Sequence, residues 1–255
     1  IVLVAPIIFV SLLNYVYKSF LQGLLKFREM VIASNVEFLL RLLIGVSFVF
    51  LGFSVFGAIV GVMLAAVAGV FLSLYFLRGH KMFLKKVELP DRKRILAYAF
   101  PIFLVSLANN SLITTDLLLV KHFFDARSAG LYAAMSNLGK IIFYGAAPVG
   151  AVMFPLISKR HSQGQGFKKI FVYSLLLTAA IALGVLFIYW LFPDIAINIL
   201  YGDKYLEVDK YLLPFGIVMT LFTISSLLVN YFLSKGQTLV AYFVGLIVPI
   251  EILLP

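Results

Sequence analysis

The sequence predicts an all-α integral membrane protein, a polytopic bundle of about eight transmembrane helices. Three observations lead to this fold class. Of the 255 residues, 63% are hydrophobic and only 13% are charged, whereas about 25% of a soluble domain is charged. The hydrophobic residues fall in long runs that suit a bilayer core of about 30 Å. Lys and Arg concentrate in alternate connections between these runs, which is the pattern of an oriented multi-pass protein.

Eight apolar runs follow one another along the chain. A helix needs about 20 mostly apolar residues to cross the hydrocarbon core, and the second and third runs are joined by a very short turn near Ser54. The chain opens at Ile1 and stops at Pro255, in each case inside an apolar run. We therefore expect it to be an internal fragment of a longer protein. The predicted spans are 2–21, 31–52, 54–77, 96–120, 129–157, 170–192, 211–234 and 238–255.

The charges of the connections predict the orientation of the spans. Fifteen of the 21 Lys and Arg residues lie in the odd-numbered connections and four lie in the even-numbered ones. Cytoplasmic loops of membrane proteins carry such an excess, so the odd connections are predicted to face the cytoplasm of a multi-pass protein in the cell (cytoplasmic or inner) membrane. The net charge of +10 then reflects topology and contact with membrane lipids. No basic patch interleaved with aromatic residues favours nucleic acid as a partner.

The second span carries an acid and a base on one face. Glu37 and Arg41 are four residues apart, and Glu preceding Arg by four is the favourable order for an intrahelical pair. Two interpretations stay open. The pair either neutralises itself to lower the cost of burial, or presents Arg41 to a central cavity with Glu37 as a charge partner.

The third span carries small residues at intervals of four. Gly57, Gly61, Ala65 and Gly69 share one helix face, and small residues at that spacing let two helices approach closely. This stripe predicts a packing seam.

The fourth span has a polar stripe and a proline. Asn109 and Asp116 are seven residues apart and therefore on one face, and Pro101 precedes them and is expected to bend the helix. Asn109 is a candidate for lining a substrate cavity. For Asp116, a structural partner and an ion-coupling role stay equally open.

The fifth span contains a lysine with no acidic residue within four positions. Lys140 stands with Ser136 and Asn137, and its partner must come from another helix or from a ligand, because an unpaired charge inside a bilayer is costly. Lys140 is the strongest candidate for binding an anionic group of a substrate, with Asn137 beside it. Pro148 marks a bend that could serve gating.

Motifs of enzymes and cofactor sites are absent from the sequence. There is no P-loop, no GxSxG, no HExxH and no dinucleotide fingerprint. The chain has no cysteine, and its three histidines lack metal-ligand spacing. The sequence therefore predicts no cofactor, no metal and no catalytic residues.

Several spaced stretches together resemble one protein family. They are Pro101 with Asp116, GLYAA at 130–134, FP at 154–155 before SKR at 158–160, YGDKY at 201–205 and KGQ at 235–237. The chain resembles the polysaccharide flippases, which transport O-antigen and other lipid-linked oligosaccharides, within the multidrug/oligosaccharidyl-lipid/polysaccharide exporter superfamily.

The resemblance implies a two-lobed exporter fold around a central cavity. It assigns 1–80 to the last three helices of the N-terminal lobe, 81–94 to a cytoplasmic inter-lobe loop, and 95–255 to most of the C-terminal lobe. The implied activity is movement of a polyprenyl-diphosphate-linked oligosaccharide to the outer leaflet by alternating access, for synthesis of polysaccharides such as lipopolysaccharide. Its partners would be that substrate, membrane lipids and polysaccharide-assembly proteins. Related lipid II flippases use a basic residue in the helix that matches the span of Lys140.

Two alternatives stay open at this stage. A multidrug or cation exporter of the same superfamily would need acidic cavity groups, and here acids are few and one is placed beside Arg41. A membrane glycosyltransferase or polymerase would need a large loop outside the membrane, and the longest connection is about 17 residues.

Overall fold

The computed structural model describes residues 4–78 and 92–246, and every regular element in these two ranges is a helix. The chain divides into two compact units, Ile1–Glu88 and Leu89–Pro255. Each unit is described separately below.

The first unit contains three long helices. These are α1 (Val4–Gly23), α2 (Phe27–Phe48) and α3 (Ser54–Leu77). The segment Val49–Phe53, which is kinked at Gly52, connects α2 to α3. Gly52 has a φ of +90° and Ser54 a φ of +50°, and these two left-handed residues reverse the chain direction. The predicted short turn near Ser54 is confirmed, and α2 and α3 form a helical hairpin that α1 packs against.

Small residues let the two helices of this hairpin approach closely. A Cβ atom added to Gly61 would lie 2.8 Å from the Cα of Gly45 on α2. A Cβ on Gly57 would lie 2.8 Å from the Cβ of Phe48. Both glycines are buried, as are Ala65 and Gly69. The predicted packing seam is therefore confirmed, and its partner is α2.

Between residues 92 and 246, the second unit contains four long helices, α4 (Arg92–Phe123), α5 (Ala126–Ser162), α6 (Lys168–Leu191) and α8 (Asp209–Ser234). Shorter elements are α7 (Pro193–Tyr201) and a 3₁₀ turn at Asp203–Val208, both on the predicted external side, and α9 (Leu239–Gly245). Three helices, α5, α6 and α8, pack against one another, and α4 packs against α5 and α9. Tyr189 on α6 donates a hydrogen bond of 2.6 Å to the backbone carbonyl of Leu138 on α5, which fixes the two helices at that level.

An N-cap sets the start of α5. The Asp125 carboxylate accepts hydrogen bonds from the backbone N–H groups of Arg127 (3.0 Å) and Ser128 (3.2 Å). Capping side chains satisfy backbone donors that have no partner inside the helix. Hydrogen bonds from the side chain and backbone of Ser128, and then from Arg127, lower the pKa of the Asp125 carboxyl below its usual value.

The helices agree with the predicted spans. Five helical stretches in the described part are long and apolar enough to cross a membrane. The first of them, Phe27–Leu77, is a stretch of two helices, α2 and α3. The 20-residue α1 is not among the five, so the predicted span at 2–21 is confirmed as a helix only. The all-α polytopic membrane fold is confirmed.

Some predictions fall wholly or partly outside the described residues. Of the predicted inter-lobe loop at 81–94, only residues 92–94 are described, and they belong to α4. The eighth predicted span, 238–255, is described up to residue 246 and there begins with α9. The assignment of 1–80 and 95–255 to the two lobes of an exporter stays a prediction.

Candidate functional site

The first unit holds a buried carboxylate that contacts three side chains. Glu37 on α2 accepts hydrogen bonds from Asn14 Nδ2 at 2.7 Å and from Lys18 Nζ at 2.6 Å, both on α1. Its other oxygen accepts a bond from Arg41 at 3.1 Å. The predicted pair of Glu37 and Arg41 is therefore present. It is joined by a second cation, so this cluster of three ionisable groups carries one net positive charge.

The helices α1 and α3 hold this carboxylate in place. A Cβ atom added to Gly69 on α3 would lie 2.6 Å from Asn14 Nδ2 and 3.0 Å from Glu37 Oε2. The absence of a side chain at Gly69 thus leaves room for the bond between α1 and α2. Ser73, one turn further along α3, donates to Asn14 Oδ1 at 3.5 Å. Polar side chains of α1, α2 and α3 are therefore joined in one hydrogen-bonded cluster.

Asn14 and Lys18 are two residues that the sequence analysis missed. Lys18 lies inside the predicted span 2–21, although its charge is counted with the first connection among the fifteen basic residues above. In the structure α1 extends to Gly23, and Lys18 is part-buried. The signal in the sequence is the interval of four between Asn14 and Lys18, which places both on one helix face.

Arg41 is the most accessible member of this first cluster. Its side chain is 39% exposed, and its guanidinium carbon lies 5.6 Å from the centre of the Phe38 ring. The Nε atom is buried and has no hydrogen-bond partner within the described residues. Arg41 also lines a cavity of about 430 Å³ between α2 and α3, whose other lining residues are apolar.

The second unit holds a different buried carboxylate. Asp116 on α4 accepts bonds from Lys140 Nζ at 3.1 and 3.2 Å, from Ser136 Oγ at 2.8 Å and from the Tyr132 hydroxyl at 3.2 Å. The three donors lie on α5 at intervals of four residues, so one helix face presents them all. The sequence analysis left two sources for the partner of Lys140, another helix or a ligand. In the structure the partner comes from another helix.

Neighbouring side chains bury most of this second ion pair. The Lys140 side chain is only 5% exposed, whereas that of Asp116 is 19% exposed. Tyr132 packs edge-on against Phe215 of α8, with ring centres 6.4 Å apart. Tyr132 was missed as a site residue, although it stands within the GLYAA stretch and eight residues before Lys140.

The other predicted site residues lie apart from these two carboxylates. Asn109 is part-buried and donates to Ser226 Oγ on α8 at 3.4 Å, which is an interhelical contact. Asn137 follows Ser136 on α5 and is exposed. Helix α4 continues through Pro101, and α5 continues through Pro148. The roles of the two asparagines in binding and of the two prolines in gating stay predictions.

The arrangement can bind charge but lacks the groups of a metal centre. No cluster of three or more His, Cys, Asp or Glu residues suited to a metal ion is found between residues 4 and 78 or between 92 and 246. Both carboxylates hold cations in a low-dielectric region, where such an attraction is strong. An anion could therefore compete with either carboxylate for the cations that this carboxylate holds.

Comparisons with known proteins place the chain in a family. The sequence profile described as polysaccharide biosynthesis protein matches residues 1–210. This match spans both units and all the residues of the two carboxylate clusters.

The chain belongs to this polysaccharide biosynthesis family.

A curated relative is an uncharacterized membrane protein of Methanocaldococcus jannaschii. It is 37% identical over 90 residues, which are 32% of this chain and 17% of that relative. The chain thus spans well under two thirds of the length of the relative that it matches. No solved structure matches the chain.

Family and fold together define the protein at a coarse level. It is a multi-pass membrane protein of a polysaccharide biosynthesis family, which confirms the family resemblance. Two carboxylate–cation clusters, one in each unit, are its main polar features among the described residues, and both carboxylates lie on candidate membrane-spanning helices.

Proposed function

We propose that this chain is part of a flippase that moves a polyprenyl-diphosphate-linked oligosaccharide from the cytoplasmic to the outer leaflet of the cell membrane. The observation that carries the proposal is the buried pair of Lys140 and Asp116 on two apolar helices of the second unit. Ionisable groups at such positions are costly and usually serve transport. The polysaccharide biosynthesis family supplies the class of cargo.

The chemistry of the cargo fits the cations. A diphosphate is a compact anion, and in a low-dielectric environment it needs positive charge close by. Arg41 offers an exposed guanidinium whose neighbouring carboxylate is shared with Lys18. Lys140 offers an ammonium group that is released when its bond to Asp116 opens. The lipid tail needs no site of this kind, because it stays in the bilayer.

Exchange of partners gives a mechanism for alternating access. With no cargo bound, Lys140 is held by Asp116, which stabilises one arrangement of α4 and α5. A diphosphate that takes over Lys140 removes that restraint, and a ligand that binds one state more tightly shifts the population toward it. When the cargo leaves, the pair of Lys140 and Asp116 forms again and resets the protein. The cargo is moved without chemical change, so the protein acts as a transporter and not as an enzyme.

The acids are placed less favourably for the competing function. A multidrug or cation exporter would need accessible acidic groups in its cavity. Glu37 is occupied by Lys18 and Arg41, and Asp116 is occupied by Lys140. Within the predicted spans, the described carboxylates are thus paired with cations, which favours an anionic cargo over a cationic one; Glu207 and Asp209 lie in an external connection.

Reconstitution tests the proposal directly. The full-length protein is placed in liposomes with a labelled lipid-linked oligosaccharide, and arrival of the sugar in the opposite leaflet is measured. We expect Lys140→Ala to abolish translocation while the protein still inserts in the membrane. Lys169→Ala removes an exposed lysine at the start of α6 and is the matched control, expected to keep normal translocation. Undiminished movement by Lys140→Ala would falsify the proposal.

A further inference from the structure

The second unit contains a large cavity on its predicted external side. It has a volume of about 1090 Å³ and lies between the start of α5, the 3₁₀ turn and the start of α8. Typical small-molecule sites measure about 300–1,000 Å³. A ligand that fills this cavity is therefore larger than a single sugar or amino acid.

The cavity extends from the external end into the outer part of the membrane-spanning region. Helix α8 begins at Asp209, and the last lining residue along it is Val218. At 1.5 Å per residue, the cavity follows α8 for about 14 Å. Glu207 and Asp209 line it at the start of α8, and apolar residues such as Pro214 and Val218 line it further along that helix.

The walls combine aromatic rings with hydrogen-bonding groups. This is the chemistry that recognises sugars, because the C–H faces of a pyranose pack on aromatic rings and its hydroxyl groups donate to carboxylates. Charged acceptors give the stronger of these hydrogen bonds. The lining residues with these properties are Ser128, Tyr132, Glu207, Asp209, Tyr211 and Phe215, together with Lys210, whose Nζ lies 5.0 Å from the centre of the Tyr211 ring.

Tyr132 connects the cavity to the buried ion pair. Its side chain lines the cavity, and its hydroxyl donates to Asp116 Oδ2, the oxygen that also accepts from Ser136 and Lys140. A sugar that packs on the Tyr132 ring would therefore act on the carboxylate that holds Lys140.

We propose that this cavity binds the sugar chain of the cargo on the external side, and that Tyr132 transmits its occupancy to the pair of Asp116 and Lys140. The inference rests on the proposed flippase function and adds a site for the glycan, separate from the cations that bind the diphosphate. Tyr132 is a positioning residue in this scheme, since it acts on Lys140 through Asp116.

Binding of the free glycan tests the site without any translocation. The probe is the oligosaccharide released by mild acid from the lipid-linked precursors of the host cell, which carries neither lipid nor diphosphate. Saturation-transfer NMR with the full-length protein in nanodiscs measures its binding. We expect saturable binding that weakens at least tenfold in the double variant Glu207→Gln/Asp209→Asn.

Two control variants show whether the loss of glycan binding is due to the carboxylates of Glu207 and Asp209 themselves. Arg127→Gln breaks the exposed ion pair of Arg127 with Glu207 but keeps the carboxylate, and it should bind the glycan normally. Such exposed pairs contribute little to stability, so the fold is retained. Asp194→Asn removes an acid on α7 that does not line the cavity, and it should also leave binding unchanged.

Tyr132→Phe tests the connection. It keeps the ring but removes the hydroxyl bond to Asp116, so glycan binding should persist. In the normal protein, bound glycan should alter the NMR signals of a ¹⁵N-labelled Lys140 side chain, and in Tyr132→Phe it should not.

The outcomes distinguish this inference from the flippase proposal. Absence of saturable glycan binding, or binding that is unchanged in the double variant, overturns the glycan site even if translocation is normal. An unchanged Lys140 response in Tyr132→Phe overturns the connection. Glycan binding in a protein that moves no lipid-linked sugar overturns the flippase function and leaves the glycan site standing.

Discussion

In the first unit the Glu37 carboxylate lies between two cations, whereas in the second unit the Asp116 carboxylate faces one cation and two hydroxyl groups. The first cluster therefore has one surplus positive charge, and the second is neutral. The cluster with the surplus charge also has the more exposed cation. Arg41 is 39% exposed and Lys140 is 5% exposed.

This difference assigns distinct tasks to the two cations. Arg41 can attract an anion without breaking its bond to Glu37, because the surplus charge is already present. Lys140 becomes available only when Asp116 gives it up. We infer that the first cluster suits initial attraction and that the second suits a conformational response, which places Arg41 before Lys140 in the binding sequence.

Removal of the Glu37 carboxylate should have the largest effect on stability. Glu37→Ala leaves Lys18 and Arg41 close together with no compensating charge. Breaking a buried ion pair by removing one partner costs about 3–5 kcal/mol, and we expect a loss near the upper end, about 5 kcal/mol. The thermal unfolding midpoint of the purified full-length protein measures it.

A double variant checks that charge is the cause. Glu37→Gln combined with Lys18→Met removes the less exposed cation together with the anion, so it should recover most of the loss. If the double variant is as unstable as Glu37→Ala, the cost arises from packing and not from uncompensated charge.

Removal of the Asp116 carboxylate should have a smaller effect. Asp116→Asn isolates one cation instead of two, and the Asn side-chain oxygen can still accept from Ser136 and Tyr132. We expect a loss of about 3 kcal/mol in the same unfolding assay. Adding Lys140→Met to Asp116→Asn should restore stability but not translocation. A loss equal to that of Glu37→Ala would remove the contrast between the two clusters.

The packing around Glu37 gives a third and weaker test. Gly69→Ala would place a Cβ atom 2.6 Å from Asn14 Nδ2, and overpacking of this kind costs about 1–3 kcal/mol. Gly184→Ala on α6 is the matched control, because a Cβ there meets nothing within 4 Å. It should gain about 0.5–1 kcal/mol from helix propensity. Equal effects at both glycines would show that close contact at Gly69 is unimportant.

The smallest effect is expected at the N-cap of α5, outside both clusters. Asp125→Ala removes two hydrogen bonds to the start of the helix and should lower the unfolding midpoint slightly at pH 7. The pKa of Asp125 is lowered in the folded protein. Its stabilisation is therefore complete above the usual carboxyl pKa of 3.8 and is lost as the pH falls through the lowered value. The gap between the two proteins should shrink at pH 3, and a constant gap would contradict this role.

Features set by local periodicity could be predicted from the sequence. The hairpin of α2 and α3 follows from two apolar runs with a short break, and the seam of Gly57, Gly61, Ala65 and Gly69 follows from their interval of four. The pair of Glu37 and Arg41 lies within one helix turn. Each of these depends on residues close together in the chain.

Features that depend on contacts between helices could not be predicted in the same way. The spacing of Lys140 shows that it lacks a partner on α5, but the choice of Asp116 depends on how α4 packs against α5. Lys18 was assigned to a connection because its charge suggested a loop, whereas a long side chain reaches a carboxylate on the next helix. Tyr132 reveals its role only when the cavity and Asp116 are seen together.

The turn between α2 and α3 has a consequence for how the protein is made. The segment Val49–Phe53 contains no polar side chain, and Phe50 is 87% exposed. Burial of polar groups in a hydrocarbon core is costly, and the side chains of this turn add none of that cost. We therefore expect the hairpin of α2 and α3 to enter the bilayer as one unit, since no polar side chain of its turn has to be desolvated.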